Sequence, residues 1–421
     1  MARPLSYEFD PETSYVKTAS GYSVPGGSAV NTSQKLSIYQ QLPLTAPAAS
    51  VLSTTPATIT FRLDKTMRDN IHYLQVMALK FNVTNTDGIN QLKLVDGYSL
   101  IDHITFSVGN QPIQTLYGPQ IREDLLMMMD SDSKGVGATD AAGIDYETGL
   151  SVLNIAANGS QEVIVDIFEC FATTSNFPLC LLPSDLQIDL TLRYGGNQCL
   201  ATGSAAAIGA ASLTNMTLLL AGETLSPKAI DRVYRDTKAA SPVIFRFVDH
   251  AFQSLPLGSI TANTPAPSAQ FNIQGKLAMI NVNLVNNAAA TGDVMYYQTG
   301  DIKALDFLDG NTIKSHNLGT LSFTSTMFEA LSTAWLPSQK TIAALNRFYV
   351  LFDEKIAETI RSGADWGHYD ANGSNLQIQI LPGVSIANAA LYCYAVRYSS
   401  LLVEISGDQI SLRAAPGNIG V

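Results

Sequence analysis

The residues from which metal and nucleophile chemistry is most often built are few in this chain. There are five histidines (His72, His103, His250, His316 and His368) and four cysteines (Cys170, Cys180, Cys199 and Cys393). No histidine lies in an HExxH or His-x-His pattern, and no two cysteines form CxxC, so the usual zinc spacings are missing. The cysteines read as buried free thiols. His72 and His103 fall at outward positions of strand-like runs. A GxSxG nucleophile elbow is absent, and Gly135-Val136-Gly137 lacks the strand–helix context that a phosphate cradle needs. Asp130-Ser131-Asp132-Ser133-Lys134-Gly135 imitates the start of a calcium loop, but Lys134 takes a ligand position and Ala141 stands where the bidentate Glu belongs. Asp353 and Glu354 read as helix-start charges rather than an acid/base pair. Tyr392, Tyr394 and Tyr398 imitate a stacking platform, yet Arg397 is the sole cation near them, so they read as strand residues buried between sheets or subunits. The expectation is a protein that is not an enzyme, with no catalytic residues, no cofactor-binding residues, no metal ligands and no cofactor.

Composition points to a globular chain with a large buried area, not a disordered or coiled-coil one. The chain has 421 residues, 46% of them hydrophobic and only 14% charged, against about 25% charged in an average domain. Net charge is -11, from 25 Lys+Arg against 36 Asp+Glu. So few cations make direct, specific nucleic-acid binding a poor expectation. The N-terminal Met1-Ala-Arg-Pro-Leu-Ser-Tyr-Glu shows no apolar signal core, which reads as synthesis in the cytoplasm. Cys199 to Ala221 carries no charge but includes Gly203, Ser204, Gly209, Ser212, Thr214 and Asn215. It reads as a small-residue loop leading into a strand at Met216–Leu220 rather than a membrane span.

The dominant hydrophobic period is two. Ile59, Phe61 and Leu63 alternate with Thr58, Thr60 and Arg62. Met77, Leu79, Phe81 and Val83 share a face, as do Ile104, Phe106 and Val108, and Leu186, Ile188, Leu190 and Leu192. Each run predicts a strand with one face on a core. Helical signal is sparse. Pro119 to Asp130 places Ile121, Leu125 and Met128 on one face. Asp353 can cap a short helix with Ile356 and Ile360 inward and Gly363 past its end, and Ser338 to Asn346 is a third candidate. Residues 131–160 form a long Gly-, Ser-, Ala- and Asp-rich loop.

The second half repeats the first. Gly109-Asn110-Gln111-Pro112-Ile113 has a counterpart in Gly310-Asn311-Thr312-Ile313. Asp185-Leu186-Gln187-Ile188-Asp189-Leu190 has one in Asn375-Leu376-Gln377-Ile378-Gln379-Ile380. Two matches in the same order at nearly the same offset indicate duplication. Each half is a unit of short antiparallel strands that must protect its edges, and a sandwich of two four-stranded sheets does so. The fold expected is all-β, two tandem eight-stranded jelly rolls with a few short helices in the connections. The expected division is an N-terminal arm at 1–55, a first jelly roll at 56–225, a charged linker at 226–242, a second jelly roll at 243–412 and a C-terminal tail at 413–421.

The run Phe168 to Arg193, FECFATTSNFPLCLLPSDLQIDLTLR, resembles the double jelly-roll major capsid proteins of the adenovirus and tectivirus lineage of tailless icosahedral viruses. So do Ile101 to Leu116, a strand–turn–strand followed by a helix, and Val396 to Asp408 near the end. Many relatives carry Tyr-Asn-x-Leu there, whereas this chain has Ser399 after Tyr398. The resemblance spans roughly residues 55 to 412 and brings no catalytic residues with it. It implies a structural major capsid protein, assembled as a pseudo-hexameric homotrimer that tiles an icosahedral virion shell. Its implied partners are neighbouring capsid trimers, vertex and minor capsid proteins, and an internal viral membrane reached through the N-terminal arm. Loops such as 131–160 and 286–300 would decorate the shell or clasp neighbours. The alternative reading is a tandem β-sandwich carbohydrate-binding or adhesin-like module, with Trp335 and Trp366 as its two tryptophans. A cupin-like or glycosidase enzyme stands third.

Overall fold

The computed structural model of the chain describes residues 58–128, 142, 153–193, 199–201, 203–287, 302–310, 312–313, 348–353, 355–407 and 409–416, together with the backbone of five short strands before residue 52. Strands β1 (Phe9–Asp10), β2 (Tyr15–Thr18) and β3 (Gly21–Ser23) form a small antiparallel sheet. The first half continues through β4 (Lys35–Gln41), β5 (Ser50–Val51), β6 (Thr58–Leu63), β7 (Tyr73–Asn85), β8 (Leu92–Leu94), β9 (Ile101–Val108), β10 (Gln111–Tyr117), β11 (Leu153–Ile155), β12 (Ser160–Asp166), β13 (Leu186–Leu192) and β14 (Ala211–Thr224). The second half supplies β15 (Val243–Ile260), β16 (Ala269–Phe271), β17 (Lys276–Asn286), β18 (Ile302–Asp309), β19 (Thr312–Ile313), β20 (Phe348–Leu351), β21 (Tyr369–Asp370), β22 (Leu376–Pro382), β23 (Ile386–Ser406) and β24 (Gln409–Pro416).

The two halves share one topology. In the first, the sheets run β12-β7-β14-β4 and β10-β9-β13-β6; in the second, β15-β23-β17-β20 and β16-β22-β18-β19. Counting eight strands in each half, strands 1, 8, 3 and 6 make one sheet and 2, 7, 4 and 5 the other. That is the jelly roll, twice. Both internal sequence matches fall on equivalent places: Gly109-Asn110 and Gly310-Asn311 lie between strands four and five, and the Leu-Gln-Ile runs are strand seven, β13 and β22. Gly109, Asn110 and Gly310 have φ of 56°, 65° and 58°, the left-handed backbone that a tight hairpin turn demands.

Alternation builds the cores. On β13, Ile188 pairs with Phe61 on one side and Phe106 on the other, and all three are buried together with Met77, Leu79 and Phe81 of β7. Each such side chain contributes roughly 1.5–3 kcal/mol by leaving water. The second roll has its own core around Leu305, Phe307, Ile378 and Leu391. The first core is not made by the first half alone: Phe247, Leu401 and Val403 belong to it. They lie where β15 and β23 extend beyond the second roll as a ribbon, joined there by β24.

Among the described residues, five α-helices lie in the connections: α1 (Lys65–Arg68), α2 (Gly118–Met128), α3 (Phe171–Thr174), α4 (Pro227–Ala239) and α5 (Ile356–Ser362). The charged stretch near 226–242 is largely α4. It starts with a Ser226 cap that accepts from the Ala229 N–H and with Pro227 in its first turn, the expected start signals. Val233 and Thr237 are its buried residues, and Tyr234 Oη donates to the Cys180 carbonyl at 2.6 Å. Helix α5 is the short helix expected after Asp353, with Ile356 and Ile360 fully buried and Gly363 at its end with φ of 65°, but Lys355, not Asp353, stands at its N-cap and no side chain caps it. A Cβ on Gly363 would lie 2.4 Å from the Arg246 carbonyl oxygen of β15. Gly363→Ala is therefore expected to lose roughly 1–3 kcal/mol from the left-handed backbone alone, read as a lower urea midpoint. An unchanged midpoint would mean that β15 withdraws freely.

The structure departs from expectation in three places. His72 is buried at 3% exposure, not outward, because its ring turns in to the chain leaving β14, while its carbonyl accepts from the Leu179 N–H. Its Nδ1 accepts from the Leu225 N–H at 3.0 Å, and burial lowers its pKa. Within the segment read as an arm, Lys35–Gln41 pairs along β14 from Leu218 to Thr224, as the edge strand of its sheet. The strand read at Met216–Leu220 is much longer, and shifts register around Asn215, whose φ is 54°. The calcium-like run at 130–135, the helix at 338–346, Trp335, His316 and most of the loops 131–160 and 286–300 lie outside the described residues.

Candidate functional site: the joint between the two jelly rolls

Strand β10 is an edge strand, with β9 on one side only. The edge that faces the second roll is closed by side chains instead of another strand. The Thr115 N–H donates to Asp249 Oδ1 at 2.7 Å and the Tyr117 N–H to His250 Nδ1 at 3.2 Å. Gln114 completes the seam: its Nε2 donates to the Val248 carbonyl at 2.6 Å and the Glu169 carbonyl at 2.8 Å, while its Oε1 accepts from the Phe171 N–H at 2.7 Å. Exposed edges template unwanted pairing; here the edge hydrogen bonds also fix one roll on the other. The Arg397 guanidinium holds Asp249 from its far side.

Aromatic rings flank this seam. Tyr117 meets Phe252 and Tyr394 at centroid distances of 5.7 and 5.9 Å. On the other flank, Phe171 meets Phe106, Phe177 and Phe247 at 6.2, 5.6 and 5.8 Å. Pairs at these distances add about 0.5–1.5 kcal/mol each beyond the area they bury.

Helix α2 follows β10 directly and is wedged into the joint. Its apolar face carries buried Ile121 and Leu125 as expected, but Gln120, Arg122, Glu123 and Asp124 are buried as well. Arg122 Nε lies 2.5 Å from Asp96 Oδ2, and its Nη1 lies 3.0 Å from Glu123 Oε1. Asp96 also accepts from the Ser99 N–H at 2.7 Å. Gln120 donates to Asp124 Oδ1 at 2.7 Å and accepts from Asn281 Nδ2 of the second roll at 3.3 Å.

Asp124, Glu169 and His250 converge behind Gln120. All three side chains are fully buried. His250 Nε2 is 2.6 Å from Glu169 Oε2 and 3.3 Å from Asp124 Oδ2. Burial and the neighbouring Glu169 carboxylate push the Asp124 carboxyl up to about 8. Among the described residues this is the one group whose types and spacing approach a metal set, with the candidate atoms within 4.8 Å of one another. The histidine does not fit that use. A metal on Nε2 needs the lone pair there and therefore a proton on Nδ1, whereas Nδ1 receives the Tyr117 N–H.

No family model matches the chain, and no curated protein matches it. Solved structures do. The chain is similar to VP54 of the virus PBCV-1, at 15% identity and a TM-score of 0.64, over 91% of this chain and 97% of that one. It is similar to the Faustovirus major capsid protein at 8% identity and a TM-score of 0.54, over 88% and 90% of the two chains. A chain of the Sputnik virophage matches at 11% identity and a TM-score of 0.52, over 94% and 90%. The fold is the double jelly roll of viral major capsid proteins.

The four cysteines are free, and burial pushes the thiols of Cys170 and Cys180 up to about 12 and Cys199 to about 11, which makes them poor nucleophiles. Tyr394 and Tyr398 are buried, as expected of strand residues between sheets, whereas Tyr392 is only half-buried. Asp353 is buried and accepts from the Tyr398 hydroxyl and the Lys355 N–H, the latter at 2.6 Å. His103 sits against Asp102 at 2.8 Å. The joint residues Asp124, Glu169 and His250 escaped the sequence reading because they come from three separate segments. The available signal was Gln120 to Asp124, a polar run in a helix that the fold buries on every side.

Proposed function

We propose that the chain is a virion major capsid protein, structural and not enzymatic, that assembles as a pseudo-hexameric homotrimer. The observation that carries this reading is the pair of topologically identical rolls rigidly joined through a buried polar seam, which gives one chain two of the six barrels of a hexagonal tile. The likeness to capsid chains over nine-tenths of the length supports it. Neighbouring trimers, vertex and minor capsid proteins would complete an icosahedral shell, and the N-terminal arm would reach an internal membrane. Among the described residues no helix is long and apolar enough to cross one.

Light scattering tests the tile directly. Three copies of the 45.1 kDa chain should scatter as a particle of about 135 kDa that persists on dilution, as obligate assemblies do. A monomer stable on dilution would sink the proposal and favour a tandem β-sandwich binding module. A glycan array would then be the next measurement, with half-exposed Trp366 as the first residue to replace.

A further inference from the structure

We propose that the outward face of sheet β12-β7-β14-β4 in the first roll is a docking surface for the second roll of another copy of this chain. This surface belongs to the trimer proposed above and rests on that reading. The two rolls have equivalent sheets with unequal surroundings. Strands 1, 8, 3 and 6 form β12-β7-β14-β4 in the first roll and β15-β23-β17-β20 in the second. In the second roll, the face turned away from the core is covered. Met279 and Val396 lie at zero exposure in one cluster with Ile356 and Ile360 of α5. Asn281 donates to Gln120 at 3.3 Å, Val285 packs with Val95 and Ala201, and Tyr394 meets the Tyr117 ring. Gln120, Val95, Ala201 and Tyr117 all come from the first roll. The joint is thus the β10 side of one roll laid on the outward sheet face of the other.

In the first roll the corresponding face is open. Met77, Leu79 and Phe81 of β7 and Leu218 and Leu220 of β14 belong to the core. Alternation therefore turns Val76, Ala78, Leu219 and Ala221 outward. Register gathers them: Ala221 pairs with Val76, and Leu219 with Ala78. Ile164 of β12, opposite Lys80, extends the patch. Val76 is 46% exposed, and Leu219, Ala221 and Ile164 are half-buried. None of these four packs in a hydrophobic core of the described residues. A sheet face that stays in water carries polar groups instead, as β13 does outward with Gln187, Asp189 and Thr191.

The duplication identifies the occupant. In the first roll strand five is β10, and its free edge meets the second roll. In the second roll strand five is β19, which among the described residues pairs only with β18. One chain holds no third roll for the β19 side to cover, and no earlier roll to cover Val76. A second copy supplies both, and the in-chain contact is then repeated between chains. Such a head-to-tail contact must close into a ring or grow into a filament; three chains close it as the tile.

Light scattering on full-length variants tests the surface. A glutamate at an exposed strand position is tolerable in a monomer, but docking would bury its charge unpaired. Val76→Glu should therefore scatter as single chains of 45.1 kDa under conditions where the wild type has the mass of three. Ile89→Glu, at a loop residue 89% exposed, should keep the wild-type mass. A folded Val76→Glu protein of trimer mass would overturn the docking surface and leave the trimer reading intact; a wild-type monomer would overturn both. If Val76→Glu does not fold, Val76→Cys decides. The native thiols are poor nucleophiles, so the introduced one reports on the patch. Within the trimer it should react with N-ethylmaleimide at least about tenfold more slowly than the thiol of Ile89→Cys. Equal rates would overturn the docking surface.

Discussion

Arg122→Met should destabilise the chain by about 3–5 kcal/mol, the usual consequence of removing one partner from a fully buried ion pair. The guanidinium and Asp96 are both at zero exposure, and Glu123 is 1% exposed overall. Methionine has the length to refill the space but leaves two carboxylates in a medium that solvates them poorly. The damage should be regional as well as large. Asp96 holds the turn at Ser99 that precedes β9, and Glu123 lies one residue before Asp124 in the joint. Urea unfolding would show a lower midpoint with little change in slope if the native state keeps its compactness. Arg122→Met combined with Asp96→Asn should recover part of the loss, because the amide carries no charge and still caps the Ser99 N–H. A single variant within about 0.5 kcal/mol of wild type, the range of an ordinary surface change, would show that water reaches these carboxylates.

Phe171→Ala carries the second large effect, about 3–5 kcal/mol for truncating a fully buried aromatic ring. Phe171 is at zero exposure between Phe106 and Phe177 of the first roll and Phe247 of β15. Its backbone N–H is the one that Gln114 accepts, so the ring and the polar seam are anchored at the same residue. The cavity would open at the contact between the rolls rather than in either core alone. Hydrogen exchange should accordingly rise at Val248–His250 and Thr115–Tyr117 before it rises at β13 or β22. Trp366→Ala is the natural control. That ring is 48% exposed with the Lys355 ammonium 4.1 Å from its centroid, an exposed cation–π contact that contributes about 0.5–1 kcal/mol. Equal losses for the two variants would mean that the joint does not hold Phe171 in the way described.

Much of the architecture was legible because its cause is local. A strand with one face on a core must alternate, so Leu186 to Leu192 and Leu376 to Ile380 declared their faces without reference to partners. The hairpins at Gly109-Asn110 and Gly310-Asn311 declared themselves because the left-handed backbone admits few residue types. The same two signals exposed the duplication, and with it the double jelly roll. The strand of Lys35–Gln41 was hidden because only Leu36 and Ile38 carry its alternation, and its pairing partner, Leu218 to Thr224, lies far along the chain. His72 read as outward for a related reason: the partner of its ring, the Leu225 N–H, lies far along the chain. The joint was the least legible part. Gln120, Arg122, Glu123 and Asp124 have the composition of a solvated helix face, and only long-range packing, against Asp96 before the helix, Asn281 of β17 and His250 of β15, removes them from water. Local pattern determines which residues form strands and which way they face; long-range packing decides which polar groups lose their solvent, and therefore where charge, protons and the rigidity of the paired rolls are held.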